Sequence, residues 1–448
     1  MFWRGGQPYR QINTSAQAAY DQLMAGGLYE RLVKDSLLVA HHEESEVPAG
    51  AYKVIRPELL ELVTYPYEWS FSQLQDAALA TLKVQRLALE HGLTLRDASA
   101  YNIQFVAGRP QLIDTLSFDV YEPGKPWIAY RQFCQHFLAP LALMSYVDVD
   151  LLQLLRVHLD GVPLPLAAKL LPLRASLKLG LATHIKLHAR LQRQHEGTAK
   201  RAKGSVSQLA LNGLLDSLAA TTKALRLAQY DTQWADYYND TNYNDTARTA
   251  KGQLIGRLTQ QVKPQRIIDL GANNGPFSRI AAAAAPQALV ISADIDPLAV
   301  DQNYRRLKAA GETRLMPLLV DLTNPSPGLG WANQERSSFA TRAGADLAIA
   351  LALIHHLAIA SNVPLELVAA YFAELAPQLI IEFVPKEDSQ VQRLLATRED
   401  IFVDYTPAGF EAAFGAHYET IAKEPVPDSA RTLYLMRRRA HPKTIQEA

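Results

Sequence analysis

The sequence predicts an α/β protein, with a mostly parallel sheet in the C-terminal half and a mainly helical α+β region before it. Three observations carry that expectation. The stretch Arg266-Ile-Ile-Asp-Leu-Gly-Ala-Asn-Asn-Gly275 runs from a short apolar strand into a glycine turn, and Phe277 to Ala285 follows as an alanine-rich helix. Two further apolar runs, from Ala288 and from Leu318, end in the acids Asp294 and Asp321, the polarity change expected where parallel strands open onto a ligand crevice. Between Asp148 and Leu227 the pattern is helical instead, including Leu151 to Leu159 and Leu181 to Gln194, with Pro163 and Pro165 as breakers.

From the N-terminus onward, Phe71 to His91 reads as a helix that leads into Gly92-Leu-Thr-Leu-Arg-Asp97-Ala-Ser-Ala-Tyr-Asn102 and then Pro110-Gln-Leu-Ile-Asp114. Phosphoryl transfer uses an Asp at the substrate hydroxyl, an Asn five positions later for magnesium, and a second Asp beyond the next hairpin for the metal on the phosphates. The segment resembles the catalytic and metal loops of protein-kinase-like and aminoglycoside-phosphotransferase-like folds, which implies weak metal candidates at Asp97, Asn102 and Asp114. Three departures stand out. No Gly-rich phosphate loop precedes residue 60, Asp114 is followed by Thr-Leu rather than by glycine, and Lys53 is the only counterpart of a phosphate-pairing lysine. The expectation is a degenerate, pseudokinase-like domain that binds a substrate or partner without transferring phosphate, and no bound metal. Active phosphotransfer, in a bifunctional kinase and methyltransferase, is its alternative.

Lys169 to Lys203 is rich in Lys and Arg, with Glu196 its only acid. A basic stripe without interleaved aromatics reads as a solvated face more readily than as a nucleic-acid surface. Gly197 to Ser207 is the best linker candidate, and the expected layout is a first domain over 1–200, a helical linker over 201–229 and a second domain over 230–448.

In the second domain the glycine spacing narrows the ligand. Nicotinamide and flavin sites need Gly-x-Gly-x-x-Gly so that the backbone can approach a pyrophosphate. Here the spacing is Asp269-x-Gly271-x-Asn273-x-Gly275, which puts a side chain at the point of close approach and adds a negative charge. That suits a cationic ligand such as S-adenosylmethionine. The stretch resembles the first motif of the class I S-adenosylmethionine-dependent methyltransferases, with Asn273 departing from the middle glycine. The resemblance implies a Rossmann-like domain with a mostly parallel seven-stranded sheet, and S-adenosylhomocysteine as product. It places Asp269, Gly271 and Gly275 around the methionine moiety, Asp294 on the ribose, and Asp321 with Leu322 on the adenine, with Asn273 a cofactor contact to which it assigns no moiety.

The remaining elements follow the same template. A strand over 346–353 exits at His355-His356, a helix spans 364–375, and the strand Gln378-Leu-Ile-Ile-Glu-Phe-Val384 contains Glu382. Helices are expected near 390–395 and 408–414, and 418–423 with 431–437 as a final pair of strands, antiparallel by the resemblance. Methyl transfer from a sulfonium is an in-line displacement, so alignment dominates and a base is needed where the acceptor carries a proton. His355, His356 and Glu382 are the candidates for it. A structural turn is the alternative for the two histidines. Tyr237 to Asn244, with Tyr238 its cofactor candidate, reads as a cover over the site, and Trp331 as a pocket or packing residue.

Composition sets outer bounds. A chain of 448 residues exceeds one ordinary core, and 45 Lys plus Arg balance 45 Asp plus Glu, so net charge selects no partner. Cys134 is the only cysteine, which excludes an internal disulfide and a cysteine-based zinc site and points to a reducing cytoplasm. No apolar run has the length of a membrane span. A small-molecule acceptor is expected, with no membrane partner. An RNA methyltransferase and a non-catalytic S-adenosylmethionine-binding scaffold are the rivals, and neither the methylated atom nor the oligomeric state is readable.

Overall fold

The computed structural model describes residues 1–187, 205–227, 245–396 and 398–440. The chain divides into two compact units, Met1–Gln229 and Tyr230–Ala448.

The first unit opens with a four-stranded antiparallel sheet of order β1-β2-β4-β3, made of β1 (Phe2–Arg4), β2 (Gln7–Asn13), β3 (His41–Glu43) and β4 (Ala51–Pro57). The helix Phe71–Glu90 starts at a capping box, in which the Ser70 hydroxyl accepts from Gln73 N while the Gln73 side chain returns to Ser70 N. It leads into β5 (Leu93–Leu95), the hairpin β6 (Ile103–Val106) with β7 (Arg109–Leu112), and β8 (Phe118–Val120), which pairs with β5. Sheet, long helix, loop, hairpin and second loop follow one another in the kinase-like order.

Residues 201–229 do contain a helix, Gln208–Ala224, but it is not a linker. Its buried face of Leu211, Leu215 and Leu218 packs inward, Gln75 Nε2 donates to Thr222 O at 2.7 Å and to Leu225 O at 3.1 Å, and Arg86 pairs with Asp216. Apolar burial along one stripe binds it to the long helix. Further upstream, the helix expected at Leu151 to Leu159 is a 3-10 turn over Val149–Gln153 that runs into the short α-helix Leu154–Val157, and the one expected at Leu181 to Gln194 begins as Leu179–Leu181 with a π-turn over Ala182–Leu187, the rest lying outside the described residues.

The second unit is one seven-stranded sheet of order β11-β10-β9-β12-β13-β15-β14, built from β9 (Arg266–Leu270), β10 (Leu289–Asp294), β11 (Leu315–Leu319), β12 (Leu347–Ala350), β13 (Gln378–Phe383), β14 (Tyr418–Pro425) and β15 (Thr432–Arg438). The first five strands are parallel. β15 runs antiparallel to β13 and β14 antiparallel to β15, the expected edge hairpin. This is the Rossmann-like methyltransferase fold. Its central strands are buried along most of their length because helices cover both faces of a parallel sheet, and β10 is buried at every position, Ser292 and Asp294 included.

One boundary differs from the sequence reading. β11 begins at Leu315 and ends at Leu319, so Asp321 lies two residues beyond the strand rather than at its tip. Pro317 inside β11 is tolerated because β11 is an edge strand, where a missing N–H leaves no ladder partner unpaired. Among the described residues no helix is long and apolar enough to cross a membrane.

Candidate functional site

A cleft of about 270 Å³ opens at the carboxyl ends of β9, β10 and β12 and the loop after β11, where the strand order reverses direction. Asp269, Gly271, Asn273, Asp294, Asp321, Leu322 and His356 all line it.

The glycine turn shapes its floor. Gly271 sits at φ 75°, and a Cβ there would lie 3.3 Å from Leu353 Cδ1. Asn273 holds φ 51°, a left-handed conformation that Asn adopts more readily than most residues, and its Oδ1 accepts from Asn274 N at 2.8 Å. Gly275, also expected at the ligand, does not line the cleft. At φ 80° it caps the helix Pro276–Ala284, and a Cβ would collide with the Asn303 side chain at 2.6 Å. Its requirement is one of packing.

Asp294 joins two loops: its Oδ2 accepts from Asn273 N at 2.6 Å and its Oδ1 from Asp296 N at 2.8 Å. Burial pushes its pKa up to about 6, against those backbone N–H groups, which lower it. Asp269 Oδ2 accepts from Ser278 Oγ at 2.6 Å. Burial drives the Asp269 carboxyl up to about 7, and the Asp294 charge adds to the rise, while Ser278 and Lys251 oppose it. The acid read as a fixed negative charge therefore holds its proton more readily than a free carboxyl does. Asp321 Oδ1 accepts from Thr323 N at 2.8 Å and from Thr323 Oγ1 at 2.6 Å, which holds the loop after β11 against the cleft.

The exit of β12 separates the two histidines. His356 faces the cleft, and its pKa falls to about 4 through burial and then the Arg431 charge. His355 packs against it with ring centroids 4.1 Å apart and planes tilted by 40°, is wholly buried, lies outside the cleft lining, and has no hydrogen-bond partner at either ring nitrogen among the described residues. Burial also lowers its pKa, so it stays neutral.

Glu382 corrects the sequence reading as well. Expected to point at the reacting centre, it lies at 0% exposure and outside the cleft lining. It accepts from Lys251 Nζ at 2.6 Å and from Ala352 N at 2.7 Å, and Arg431 Nη1 stands 3.9 Å from its second oxygen. A buried carboxylate so engaged is an anchor, since losing any donor would strand a charge in the interior. What it anchors does reach the site. Lys251 lines the cleft and places Nζ 4.9 Å from the centroid of the Phe277 ring, which also lines it. Burial pulls the Lys251 pKa down and Glu382 opposes that.

Lys251 and Arg248 were missed from the sequence. Both lie on the helix Asp245–Val262, three positions apart on one face, and both line the cleft. Tyr238 and the rest of Tyr237 to Asn244 lie outside the described residues. Trp331 is 87% exposed and does not line the cleft.

In the first unit, Asp97 Oδ1 accepts from Ser99 N at 2.9 Å, Asn102 Nδ2 donates to Ser117 Oγ at 3.3 Å, and Asp114 Oδ1 accepts from Leu116 N at 2.9 Å. Asp114 also forms an ion pair with Arg10 of β2. Lys53 finds its partner in Glu43 of the adjacent β3, with Nζ at 2.7 and 2.6 Å from the two carboxylate oxygens, and Tyr20 donates to the same carboxylate at 2.8 Å.

No protein-family profile matches the chain. Nodulation protein NoeA of Rhizobium meliloti (strain 1021) is 41% identical over 392 residues, covering 86% of this chain and 82% of its own length. Among solved structures, magnesium protoporphyrin IX methyltransferase (ChlM) from Synechocystis PCC 6803 with bound SAH superposes on 46% of this chain and 92% of its own, at 17% identity and TM-score 0.32. The bifunctional kinase-methyltransferase WbdD superposes on 43% of this chain and 40% of its own, at 15% identity and TM-score 0.31. The strand order, rather than these loose superpositions, fixes the fold.

Proposed function

The chain belongs to the family of nodulation protein NoeA, and we propose that it is a methyltransferase that uses S-adenosylmethionine and acts on a small-molecule acceptor. The observation that carries this reading is the convergence of Asp269, Asp294 and Asp321 on one cleft at the carboxyl ends of parallel strands. The residues fit the cofactor. Asp294 and the turn at Gly271 would hold the ribose and the amino-acid moiety, and Asp321 with Leu322 the adenine. When bound, S-adenosylmethionine supplies an electrophilic methyl group on a sulfonium.

The chain's own residues divide the remaining work. Asp269 and Asp294 place negative charge where a cation is bound, at a cost in the empty site that their raised pKa values register. Leu351, Leu353 and Leu357 give the β12 side of the cleft an apolar wall that excludes water from the acceptor. His356, neutral at physiological pH, accepts a hydrogen bond from the acceptor and orients it more than it removes a proton, because a base with pKa about 4 has little driving force. Three acids against the two cations Arg248 and Lys251 suit a cationic ligand better than a polyanion such as RNA.

In the first unit the ion pair between Arg10 and Asp114 supports a binding role over phosphotransfer, since the carboxylate in the metal position already faces a cation. Titration calorimetry with S-adenosylmethionine and S-adenosylhomocysteine tests the cofactor. Incubation of a metabolite extract with methyl-labelled cofactor tests the acceptor class. Absence of binding to both compounds sinks the enzyme reading, and binding with no labelled product from any extract leaves a scaffold in its place.

A further inference from the structure

The first unit carries a surface that the methyl-transfer reading does not use. Residues 161–187 contain Lys169, Arg174, Lys178 and Lys186 and no acid. Within this stretch the short helix Leu173–Ser176, continued by Leu177 in helical conformation, is held inward by Ala175 at 0% and Leu171 at 5% exposure. Its other sides face out. Leu173 and Leu177 are 85% and 86% exposed, and Leu179, just beyond, is 83% exposed. Leu173 and Leu177 are four residues apart and share one side of the turn; Arg174 lies beside them with Nη2 donating to Tyr146 O at 3.0 Å, and Lys178 follows in extended conformation with its side chain exposed. Leu170 and Lys169 extend the same pairing of apolar and cationic residues at the end of the preceding helix Leu164–Leu170.

Leucines exposed to this degree, three within seven residues, mark an interaction surface rather than ordinary scatter. The partner has to satisfy both halves of the pattern. Nucleic acid rewards the cations but gains nothing from aliphatic side chains, and the stretch lacks the aromatics on which bases stack. A bilayer with anionic headgroups rewards both, since leucines enter the acyl boundary while Lys and Arg remain at the phosphates. We infer that the Lys169–Leu179 surface docks the protein peripherally on anionic membranes. The absence of a membrane span does not bear on this, because a surface contact needs none.

The test is co-sedimentation of the full-length protein with vesicles of phosphatidylcholine, with and without phosphatidylglycerol. The expected result is binding to the anionic vesicles alone, weakened by salt. Leu173→Asp with Leu177→Asp abolishes it, and Lys169→Gln with Lys178→Gln lowers it by about 25-fold, about fivefold per cation. All four side chains are exposed, so circular dichroism and the unfolding temperature stay unchanged. Equal binding to neutral vesicles, no binding to either, or binding indifferent to both variant pairs overturns the inference. RNA binding that depends on the lysines but not the leucines, without vesicle binding, overturns it in favour of a nucleic-acid surface. A dimer that the leucine variant dissociates, without vesicle binding, overturns it in favour of self-association.

Discussion

Lys251 and Glu382 meet at 2.6 Å in the interior of the second unit, and through that contact a carboxylate on β13 fixes the position of a cation in the wall of the cleft. Their side chains are 3% and 0% exposed, so the pair has given up its hydration and holds only while both partners are present. Glu382→Ala strands the ammonium, and Lys251→Ala strands the carboxylate beside Ala352 N. Each single substitution is expected to cost about 3–5 kcal/mol, and Lys251→Ala combined with Glu382→Ala considerably less than the sum. Denaturant unfolding of the four proteins checks this, and additive losses refute the coupling.

Cofactor affinity should depend on pH with a definite sign. The native pKa values of Asp269 and Asp294, about 7 and about 6, lie above the 3.8 of the free side chain. For these two groups the folded state favours the protonated form, so their contribution to stability is greatest in acid and declines as pH rises from 4 toward 7. A sulfonium ligand favours the ionised form instead. Its affinity is expected to rise by about tenfold or more between about pH 5 and about pH 8, since each pKa unit of preference is a factor of ten, and binding near neutrality should release protons. Calorimetry in buffers of different ionisation enthalpy reads both. Affinity that falls with pH contradicts the assignment.

The parts of the site legible in the sequence are those fixed by local pattern. Asp269 and Asp294 stand at or just inside the ends of apolar runs, and period and polarity suffice to place them at the mouth of a parallel sheet. The contacts that decide the roles of Glu382 and Asp114 are not local. Lys251 and Glu382 are 131 positions apart, and Arg10 and Asp114 are 104 apart, so strand order and sheet packing alone bring them together. The strand before Asp321 reads from the sequence as starting three residues late, at Leu318, because Pro317 argues against a strand interior and only edge position permits it in β11.

Separate roles for the two histidines give a third prediction. His356→Ala removes a ring from the cleft wall and is expected to lower kcat by about a hundredfold with little effect on folding. His355→Leu removes two buried nitrogens that have no partner among the described residues and keeps the side-chain volume roughly constant. It should be neutral or stabilising and leave turnover within about twofold, because replacing an unsatisfied polar group with an apolar one of similar shape removes a desolvation cost. The acid limb of the wild-type kcat profile should not follow an ordinary imidazole, since His356 titrates near 4. Loss of turnover in His355→Leu with unchanged stability would falsify this division.

The Arg10–Asp114 pair makes the last prediction. Its side chains are 21% and 18% exposed, so water screens the charges in part and the pair is worth about 1 kcal/mol or less. Arg10→Ala should therefore unfold at only slightly lower denaturant. It frees one face of Asp114 but leaves the bond from Leu116 N in place, and Asp97 remains tied to Ser99 N and Asn102 to Ser117. Neither the wild type nor Arg10→Ala is expected to gain thermal stability from ATP with magnesium, because phosphate clamping needs all three groups directed at one metal together with a loop over the phosphates. Stabilisation by the nucleotide in Arg10→Ala alone would show that the arginine blocks an otherwise competent site. Stabilisation of the wild type would show that the first unit binds nucleotide as it stands and would reopen phosphotransfer to a direct assay with labelled ATP.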